Sequence, residues 1–494
     1  MKPTICHRVT LILFFIQFIC CSPLKAQELQ RQNTFPLGIA WGFDYGHNSE
    51  PPLFMDKIRE LGIHSTKVYL FWNQIEPEKG KYEWGIVDAL MEQLAEGDEV
   101  LLAIYSASTW ATSISTNLLP PSPAKSEKDY YDFIYQLVKR TKGKVKYWQN
   151  DCEPNNPVYW AGNKQEFIDQ TKVFYKAVKD ADPKALVVLG GYDGLFNPPG
   201  MPEMPNQKAG LSFFEDVIQE ARGFFDVFDL RLYANPYTIR ERVAYFRNKL
   251  DDIPIICSEY NGPGFMEFPV NRQYGSLLAQ WSAAYASQDT AAYYQVQEKI
   301  KAFYERKDEL APETRLFLEE SDSDYGKLYE KFQAADLVIR NILALEAGVQ
   351  KTFFWDFWHD TENKYDLMTI MYGKNKMADY ENGEFKNYRS LAGVMKGFAH
   401  KMEGFQHISQ IEISENEDIL SFLVEKISGD KIIIIWEKRT DNLSKKLIPE
   451  MRTVTLPFKK LHIQDIYGEP VNFEKNEHTF TFPVSSSPVF VISH

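Results

Sequence analysis

Eight short apolar segments alternate with amphipathic segments of helix length between Gly38 and about His359. The strand candidates are 38–43, 65–71, 99–106, 145–150, 185–191, 228–233, 254–259 and 350–355. The helix candidates between them are 52–61, 84–96, 128–141, 164–181, 211–221, 238–250 and 331–347. This alternation is typical of α/β proteins. Eight parallel strands with intervening helices predict a (β/α)8 TIM barrel, whose active site lies at the carboxyl ends of its strands.

A second pattern begins after about Lys401. Six short segments, rich in β-forming residues and bounded by turns, lie at 419–426, 431–437, 452–456, 463–467, 478–482 and 488–492. They predict a small C-terminal antiparallel β-sandwich. It contains one tryptophan, Trp436, and no obvious pair of carboxylates. This favours a stabilising appendage over a carbohydrate-binding module. We therefore expect a barrel over 27–400 and a sandwich over 401–494.

The first 26 residues resemble a targeting segment. Lys2 and Arg8 precede an apolar stretch over 9–19 that is too short to span a bilayer. Small and polar residues follow, and cleavage after Ala26 is predicted, so residues 1–26 are assigned as a signal peptide of an exported protein. Lipid attachment at Cys20 or Cys21 is the alternative. No later apolar run reaches the length of a membrane span.

Two cysteines, Cys152 and Cys257, remain after removal of the signal peptide, and both are expected to be free and buried. The formal net charge of −13 argues against nucleic acid or an anionic membrane as a partner. No spacing of His, Cys or Asp matches a metal site, and no glycine-rich loop follows a strand to hold phosphate. We therefore expect neither a metal nor a cofactor.

Two connections are unusually long. The proline-rich stretch 195–210 is predicted to be an extended loop over the end of strand five. About ninety residues separate strands seven and eight, including a charged helical segment over 284–329. Loops of this length in a compact domain usually carry function or extra structure, so both are expected to shape the rim of a cleft.

Two glutamates stand where strands should end. Glu153 follows the fourth strand candidate and Glu259 closes the seventh. Two carboxyl groups that face each other across a sugar can cleave a glycosidic bond, because one protonates the leaving oxygen while the other attacks or activates water. At the same end of one barrel, these residues predict a glycosidase.

The strand ends also resemble a known group of enzymes. Strand two runs into Phe71-Trp72-Asn73-Gln74-Ile75-Glu76-Pro77, strand four into Cys152-Glu153-Pro154-Asn155, strand seven into Ser258-Glu259-Tyr260, and strand eight into Phe354-Trp355. Together these are similar to the clan A glycoside hydrolases, which include families 5, 39 and 42. The resemblance implies a retaining double displacement on a β-linked glycan of the β-glucan or β-xyloside type. Glu153 would be the acid/base and Glu259 the nucleophile.

The resemblance also implies roles for other residues. Tyr233 would donate a hydrogen bond that keeps Glu259 ionised, and Trp355 matches the tryptophan that floors the sugar site at the point of cleavage. Asn155 is a candidate contact to the substrate, and Asn150 and Asp151 are alternatives to it for the contact with the sugar 2-hydroxyl. Further tryptophans at or just beyond strand ends are candidate stacking platforms: Trp41, Trp72, Trp110, Trp160 and Trp358.

Three positions depart from the clan pattern. Cys152 stands where the clan usually has an asparagine that reaches the sugar 2-hydroxyl, and a thiol is a weak hydrogen-bonding group. Lys67 stands where an arginine often supports the nucleophile, and Arg231 lies where a histidine is common. Lys67 and Arg231 would supply positive charge near the nucleophile, meet a substrate carboxylate, or form a buried ion pair.

Two other functions fit the same residues. A catalytically inactive barrel that only binds glycans is one alternative, and the loss of the motif asparagine is its support. A transglycosylase is the other, because it would use the same two glutamates with a sugar in place of water as acceptor. Retention of two carboxylates at facing strand ends favours an enzyme.

Overall fold

The computed structural model describes residues 35–42, 45–46, 51–192, 205–318, 320, 323–359, 363–438, 450–456, 460–477 and 479–493. The predicted signal peptide and lipidation site lie outside these residues. Among the described residues, no helix is both long enough and apolar enough to cross a membrane. Cys152 and Cys257 are free and buried, as predicted.

A closed barrel of parallel strands, paired in chain order, forms the centre of the described structure. The strands are β1 (Leu37–Ala40), β2 (Ser65–Phe71), β3 (Glu99–Tyr105), β4 (Tyr147–Asn150), β5 (Leu186–Tyr192), β6 (Val227–Leu230), β7 (Ile255–Tyr260) and β8 (Thr352–Trp355). β8 pairs with β1 and closes the barrel. All seven residues of β2 are buried, as expected for a parallel strand covered on both faces. The predicted (β/α)8 fold is therefore confirmed.

Helices surround the barrel and extend beyond its rim. In chain order they are α1 (Met55–Glu60), α2 (Trp72–Ile75), α3 (Gly85–Glu92), α4 (Glu127–Arg140), α5 (Lys164–Ala181), α6 (Pro205–Glu220), α7 (Ile239–Leu250), α8 (Gly275–Ala286), α9 (Thr290–Glu305), α10 (Pro312–Leu318), α11 (Asp324–Glu346), α12 (Leu367–Tyr372) and α13 (Ser390–Met402). Short 3-10 helices occupy Pro236–Thr238, Phe265–Glu267, Pro269–Tyr274 and Lys307–Glu309.

Helix α5 matches its predicted bounds because its start is encoded locally. The Asn163 side chain accepts the Glu166 amide and the Glu166 side chain accepts the Asn163 amide, which is a capping box. The predicted loop over 195–210 is wrong in its last part, since α6 begins at Pro205. Proline is tolerated in the first turn of a helix, where its missing N–H has no partner to lose. Residues 195–204 lie outside the described structure.

The insertion after β7 folds into helices α8, α9 and α10, which precede α11, the crossover helix that leads to β8. Apolar side chains of the insertion, including Trp281 and Ile300, join one buried cluster with barrel-interior residues such as Leu101 and Phe353. The same cluster includes Leu367 of α12. The insertion and α12 therefore pack onto the barrel as one body rather than project from it.

The C-terminal residues form two antiparallel sheets, as predicted. A five-stranded sheet has the order β11-β12-β13-β18-β15, and a three-stranded sheet has the order β14-β17-β16. Their strands are β11 (Phe405–Gln410), β12 (Ile419–Lys426), β13 (Lys431–Glu437), β14 (Glu450–Thr455), β15 (Leu461–Asp465), β16 (Glu474–Asn476), β17 (Thr479–Val484) and β18 (Val489–Ser493). A hairpin of β9 (Ala378–Glu381) and β10 (Glu384–Tyr388) links the barrel to α13.

Alternate side chains of β13 face two different cores. Ile433 and Ile435 join the apolar layer between the two sheets. Ile434 and Trp436 join the cluster formed by the outside of the barrel and its helices. Trp436 is fully buried, so its ring is not available to bind a sugar at the surface.

Candidate active site

Glu153 and Glu259 lie together at the carboxyl ends of the barrel strands. Glu259 is in β7, and Glu153 is three residues beyond the end of β4. Their exposed fractions are only 7% and 6%. One carboxylate oxygen of each residue and the sulfur of Cys152 all lie within 4.8 Å of one another. The fold therefore brings the two sequence-predicted glutamates into one nearly enclosed site.

Two buried cations contact Glu259. Nζ of Lys67 on β2 donates to Glu259 Oε1 at 2.9 Å. The guanidinium of Arg231, just beyond β6, forms an ion pair with the same oxygen. Both cationic side chains are fully buried. Of the roles considered for Lys67 and Arg231, the structure shows a buried ion-pair network that includes Glu259.

Neutral donors complete the surroundings of Glu259. The Tyr69 hydroxyl donates to Oε1, and the Cys152 thiol donates to Oε1 at 3.3 Å. Tyr233 donates to Oε2 at 3.0 Å, as predicted. Among the described residues, Oε1 therefore has four partners and Oε2 has one.

These partners determine the charge of Glu259. Burial opposes ionisation of its carboxyl group, but the charges of Arg231 and Lys67 outweigh burial and hold the pKa well below its usual range. Hydrogen bonds from Arg231 and Tyr69 act in the same direction. Glu259 is therefore an ionised carboxylate at neutral pH, as a nucleophile must be.

A buried carboxylate holds the two cations in place. Asp229 Oδ2 lies 3.3 Å from Arg231 Nε, accepts the Ser258 hydroxyl at 2.6 Å and accepts Gln149 at 2.7 Å. Ser258 in turn accepts Lys67 at 2.8 Å. The close approach of Arg231 to Asp229 needs a glycine on β5, since a Cβ on Gly191 would lie 2.1 Å from Arg231 Nε.

Helix α11 fixes the segment that carries Tyr233. Arg340 donates to the backbone carbonyls of Leu232 at 2.7 Å and of Ala234 at 2.5 Å, on either side of Tyr233. The same guanidinium pairs with Asp336 at 2.8 Å. A remote buried arginine therefore positions the donor to Glu259 Oε2.

Cys152 belongs to the surroundings of Glu259. Its sulfur accepts from Arg231 at 2.5 Å while its thiol donates to Glu259. Burial raises the pKa of the Cys152 thiol, so the group is a neutral thiol. The second cysteine, Cys257, donates to the Glu259 backbone carbonyl at 3.1 Å. Both cysteines therefore support Glu259, one through its side chain and one through its backbone.

Cys152, Glu153 and Glu259 are close enough to be tested as metal ligands. The trio does not fit a divalent cation, because the thiol is neutral and Lys67 and Arg231 already compensate the charge of Glu259. The cluster is better suited to proton transfer and nucleophilic attack.

Trp355 borders the site at the end of β8. It is 8% exposed and stacks on His359, with centroids 5.4 Å apart. Tyr372 packs edge-on against it at 5.3 Å. Trp358 is half-buried and packs against Tyr380 at 5.7 Å. Trp355 and Trp358 keep their predicted places at the strand-eight end of the barrel.

Other predicted platforms are packing residues. Trp41 is fully buried and packs against Phe54 at 4.6 Å, so its prediction as a sugar platform is wrong. Trp72 is also fully buried, stacks on Phe133 at 4.9 Å and donates to Glu76, so its prediction is wrong for the same reason. No sugar reaches a ring whose faces are covered by other side chains.

The remaining candidates are anchored by local contacts. The indole N–H of Trp110 donates to the Glu76 carbonyl, and that of Trp160 donates to the Asn163 carbonyl. Asn155 is half-buried and approaches α6, where its Nδ2 lies 2.8 Å from the position of a Cβ on Gly210. Substrate contact by Asn155 stays a prediction.

Sequence reasoning missed Tyr69 as a partner of Glu259. The signal was available, because side chains two positions apart on a strand share a face, and Lys67 already pointed to the barrel interior. Tyr105 stacks on Tyr69 at 6.0 Å, and Tyr159 continues the row at 6.5 Å from Tyr105. These tyrosines line the interior beside the two glutamates.

Comparison with known proteins gives a consistent result. The model of glycoside hydrolase family 42, described as beta-galactosidase, matches residues 53–116, which include Lys67 and Tyr69. No curated protein sequence matches the chain. The solved structures described next share only 10–14% sequence identity with this chain, so they bear on the fold.

A family 39 glycoside hydrolase from Bacteroides cellulosilyticus WH2 is similar with a TM-score of 0.61 and 14% identity, covering 94% of this chain and 82% of that one. The catalytic domain of a family 30 xylanase C from Talaromyces cellulolyticus gives 0.54 and 10%, covering 93% and 96%. A family 39 β-xylosidase from Caulobacter crescentus gives 0.51 and 11%, covering 93% of this chain and 96% of that one. The solved structures show that the chain shares its fold with glycoside hydrolases of clan A, and the family-model match over 53–116 supports the resemblance predicted from the strand ends.

Proposed function

We propose that this protein is a retaining glycoside hydrolase that cleaves a neutral, β-linked glycan by double displacement. The observation that carries the proposal is the approach of Glu153 and Glu259, whose nearest oxygens lie within 4.8 Å. Retaining glycosidases place their two carboxyl groups about 5 Å apart, whereas inverting enzymes need roughly 6.5–9.5 Å to admit a water. The short separation supports retention.

Glu259 is the proposed nucleophile, and Oε2 is its attacking atom. Oε1 is occupied by Lys67, Tyr69, Arg231 and Cys152, whereas Oε2 accepts only from Tyr233 among the described residues. In the first step Oε2 forms a bond to the anomeric carbon as the bond to the leaving oxygen breaks.

Glu153 is the proposed acid/base. It protonates the leaving oxygen in the first step and becomes a carboxylate. In the second step it removes a proton from water, whose oxygen attacks the anomeric carbon and releases Glu259. Its carboxylate oxygen lies 3.9 Å from Arg231 Nε, so a positive charge is available to stabilise the ionised form.

The charge balance of the site favours a neutral sugar. The negative charges of Glu259 and Asp229 offset the positive charges of Lys67 and Arg231. Both cations pair directly with Glu259. Arg231 also lies beside Asp229, and Lys67 is linked to Asp229 through the Ser258 hydroxyl. Neither cation is exposed, so neither is available to a substrate carboxylate. Proteins of similar structure include a β-xylosidase, a xylanase and an endo-β1,6-glucanase, which supports β-xylosides and β-glucans as the first substrates to test.

The test is hydrolysis of aryl β-xylosides and β-glucosides, with the first-formed anomer identified by proton NMR. We expect the β anomer to form first. Glu259→Gln is expected to lose at least about 10⁴-fold in kcat, because it removes the nucleophile. Glu92→Gln is a matched control, since Glu92 is an exposed glutamate on α3.

The outcomes separate the candidate functions. Initial release of the α anomer would exclude retention. Sugar binding without turnover in the wild type would support an inactive glycan-binding barrel. Products longer than the substrate, formed when acceptor sugar is added, would support a transglycosylase.

A further inference from the structure

Tyr372 approaches the site from outside the barrel strands. It is the last residue of the short helix α12 in the segment after β8. Its ring contacts Trp355 edge-on at 5.3 Å and lies 6.1 Å from the ring of Tyr233, the donor to Glu259. Tyr372 is half-buried.

The position of Tyr372 is supported by its influence on two other tyrosines. Burial raises the pKa of Tyr233, and Glu259 and Tyr372 add to the rise. Burial also raises the pKa of Tyr159, where Glu153 and Tyr372 are among the contributors. These effects on the two pKa values agree with the ring contacts that place Tyr372 beside Tyr233 and Trp355.

The insertion after β7 holds α12 at its start. Asp366 is the N-cap of α12, and its Oδ1 accepts the Met368 amide at 2.7 Å. The other oxygen of Asp366 accepts the hydroxyl of Tyr293, which lies on α9 of the insertion. One carboxylate thus joins the insertion to the helix that carries Tyr372.

The end of α12 is held from other directions. Asn375, three residues beyond Tyr372, accepts from Tyr329 of α11 at 3.0 Å and from Gln333. Lys374 donates to the Leu316 carbonyl of α10 at 2.9 Å. Leu367 and Ile370 anchor the buried face of α12 in the cluster that contains Trp281 and Ile300. A six-residue helix needs such support, because it is not stable alone.

We propose that Tyr372 is a substrate-positioning residue that contacts the sugar at the point of cleavage, and that the insertion after β7 serves to hold it there through Tyr293 and Asp366. This inference rests on the proposed glycosidase function. The ligand class is a neutral pyranoside, which a tyrosine can engage through its ring face and its hydroxyl. On this proposal the long insertion contributes to substrate specificity, because it holds a residue that contacts the sugar.

The test compares variants of Tyr372 and Tyr293 on the best aryl glycoside, with kcat and KM measured separately. Tyr372→Ala is expected to lower kcat/KM about tenfold or more, mainly through KM, because a binding contact is removed. Tyr372→Phe should give a smaller loss. Tyr293→Phe, which touches no substrate, should lower kcat/KM by about threefold through the displacement of α12.

Tyr294→Phe is the matched control. Tyr294 is the next residue on α9, and its exposed fraction is 60%. Tyr294→Phe, which removes only the hydroxyl group, should leave kcat and KM unchanged. Introducing Tyr293→Phe into the Tyr372→Ala background separates positioning from general packing: the effect of Tyr293→Phe on kcat/KM should disappear there, while its effect on thermal stability should remain.

The results distinguish two kinds of failure. No hydrolysis by the wild type and by Tyr294→Phe would overturn the proposed function and this inference with it. Full activity of Tyr372→Ala in an active wild-type background would overturn this inference alone. An unchanged effect of Tyr293→Phe in the Tyr372→Ala background would overturn the link through Asp366.

Discussion

At the scale of single residues, the ionisation of Glu259 depends on the two cations that touch it. Lys67 and Arg231 lower the pKa of Glu259 against the opposing effect of burial. A carboxylate with a lowered pKa keeps its charge to lower pH, so the acidic limb of the kcat/KM profile should lie below the usual range of a glutamate.

We predict that Lys67→Met moves this acidic limb to higher pH by about one unit or more. Removal of one cation raises the pKa of Glu259, so the nucleophile is protonated, and activity is lost, at a higher pH than in the wild type. Lys351→Met is the control, since Lys351 is equally buried but pairs with Glu99 at the opposite end of the barrel. A limb that stays in place in Lys67→Met would contradict the assignment of Glu259.

A second residue-scale effect concerns Asp151, which follows the last residue of β4 and precedes Cys152 and Glu153. Its backbone φ is 49°, a left-handed conformation that aspartate tolerates better than most residues. Its carboxylate accepts the Ser106 amide at 3.0 Å and Gln170 at 3.3 Å. Burial raises the pKa of Asp151 to about 7 and outweighs these hydrogen bonds.

The sign of the stability effect follows from this shift. Between the ordinary aspartate pKa of about 3.9 and the folded value, the folded protein holds a proton that the unfolded chain has lost, so its free energy of unfolding falls as the pH rises. Relative to the wild type, Asp151→Asn should therefore gain about 2–3 kcal/mol in free energy of unfolding between pH 5 and pH 8. Denaturant unfolding of the wild type and of Asp151→Asn at pH 5 and pH 8 measures this gain. If the two proteins differ in free energy of unfolding by the same amount at both pH values, the raised pKa of Asp151 is contradicted.

At the scale of elements, α11 controls the segment after β6 through Arg340. Both carbonyls that flank Tyr233 accept from this guanidinium, which also pairs with Glu267 at 3.1 Å and with Asp336. One buried side chain thus connects helix α11 to the segment whose Tyr233 donates to Glu259.

We predict that Arg340→Met lowers kcat to the level of Tyr233→Phe and costs about 3–5 kcal/mol of folding free energy, because Asp336 and Glu267 lose their partner. Activity should be measured below the melting temperature so that the two effects separate. If Arg340 acts through Tyr233, the double variant should have the kcat of Tyr233→Phe alone. Additive losses in kcat would contradict that connection.

The barrel strands were predictable because parallel strands buried on both faces are continuous apolar runs. β2 and α5 matched to the residue. β11 was missed, since its sequence FQHISQ is mostly polar and exposed. The two glutamates were found from strand ends, but ring orientation was not encoded locally, which is why Trp41 and Trp72 were misassigned. Tyr372 comes from a helix whose place is set only by tertiary contacts.

At the scale of the whole molecule, the barrel and the sandwich share a core. Trp436 stacks on Phe422 at 5.1 Å, and both belong to the cluster formed with the outer helices of the barrel. Phe490 of β18 contacts Phe398 of α13, and Arg240 of α7 donates to Gln410 of β11 at 2.7 Å. The contact supports the interpretation of the sandwich as a stabilising part rather than a separate binding module.

A shared core predicts that both parts unfold together. Trp436→Ala should cost about 3–5 kcal/mol and lower the midpoint of a single thermal transition. Loss of hydrolytic activity and loss of β-sheet circular dichroism should have the same midpoint in the wild type and in the variant. Phe482→Ala, between the two sheets, is the comparison. A sandwich that melts first while activity persists would contradict the shared core.

The contact surface between the barrel and the sandwich also has a consequence for folding during synthesis. Helices α11 and α13 are synthesised before β18. The apolar surface of these helices that β18 covers in the folded protein is therefore exposed until β18 has been made. At typical elongation rates of about 5–20 residues per second, the stretch from α13 to Phe490 takes roughly 5–20 s to synthesise. During that interval the nascent chain exposes an apolar surface, and exposed apolar surface of this kind makes a partly folded chain prone to aggregate.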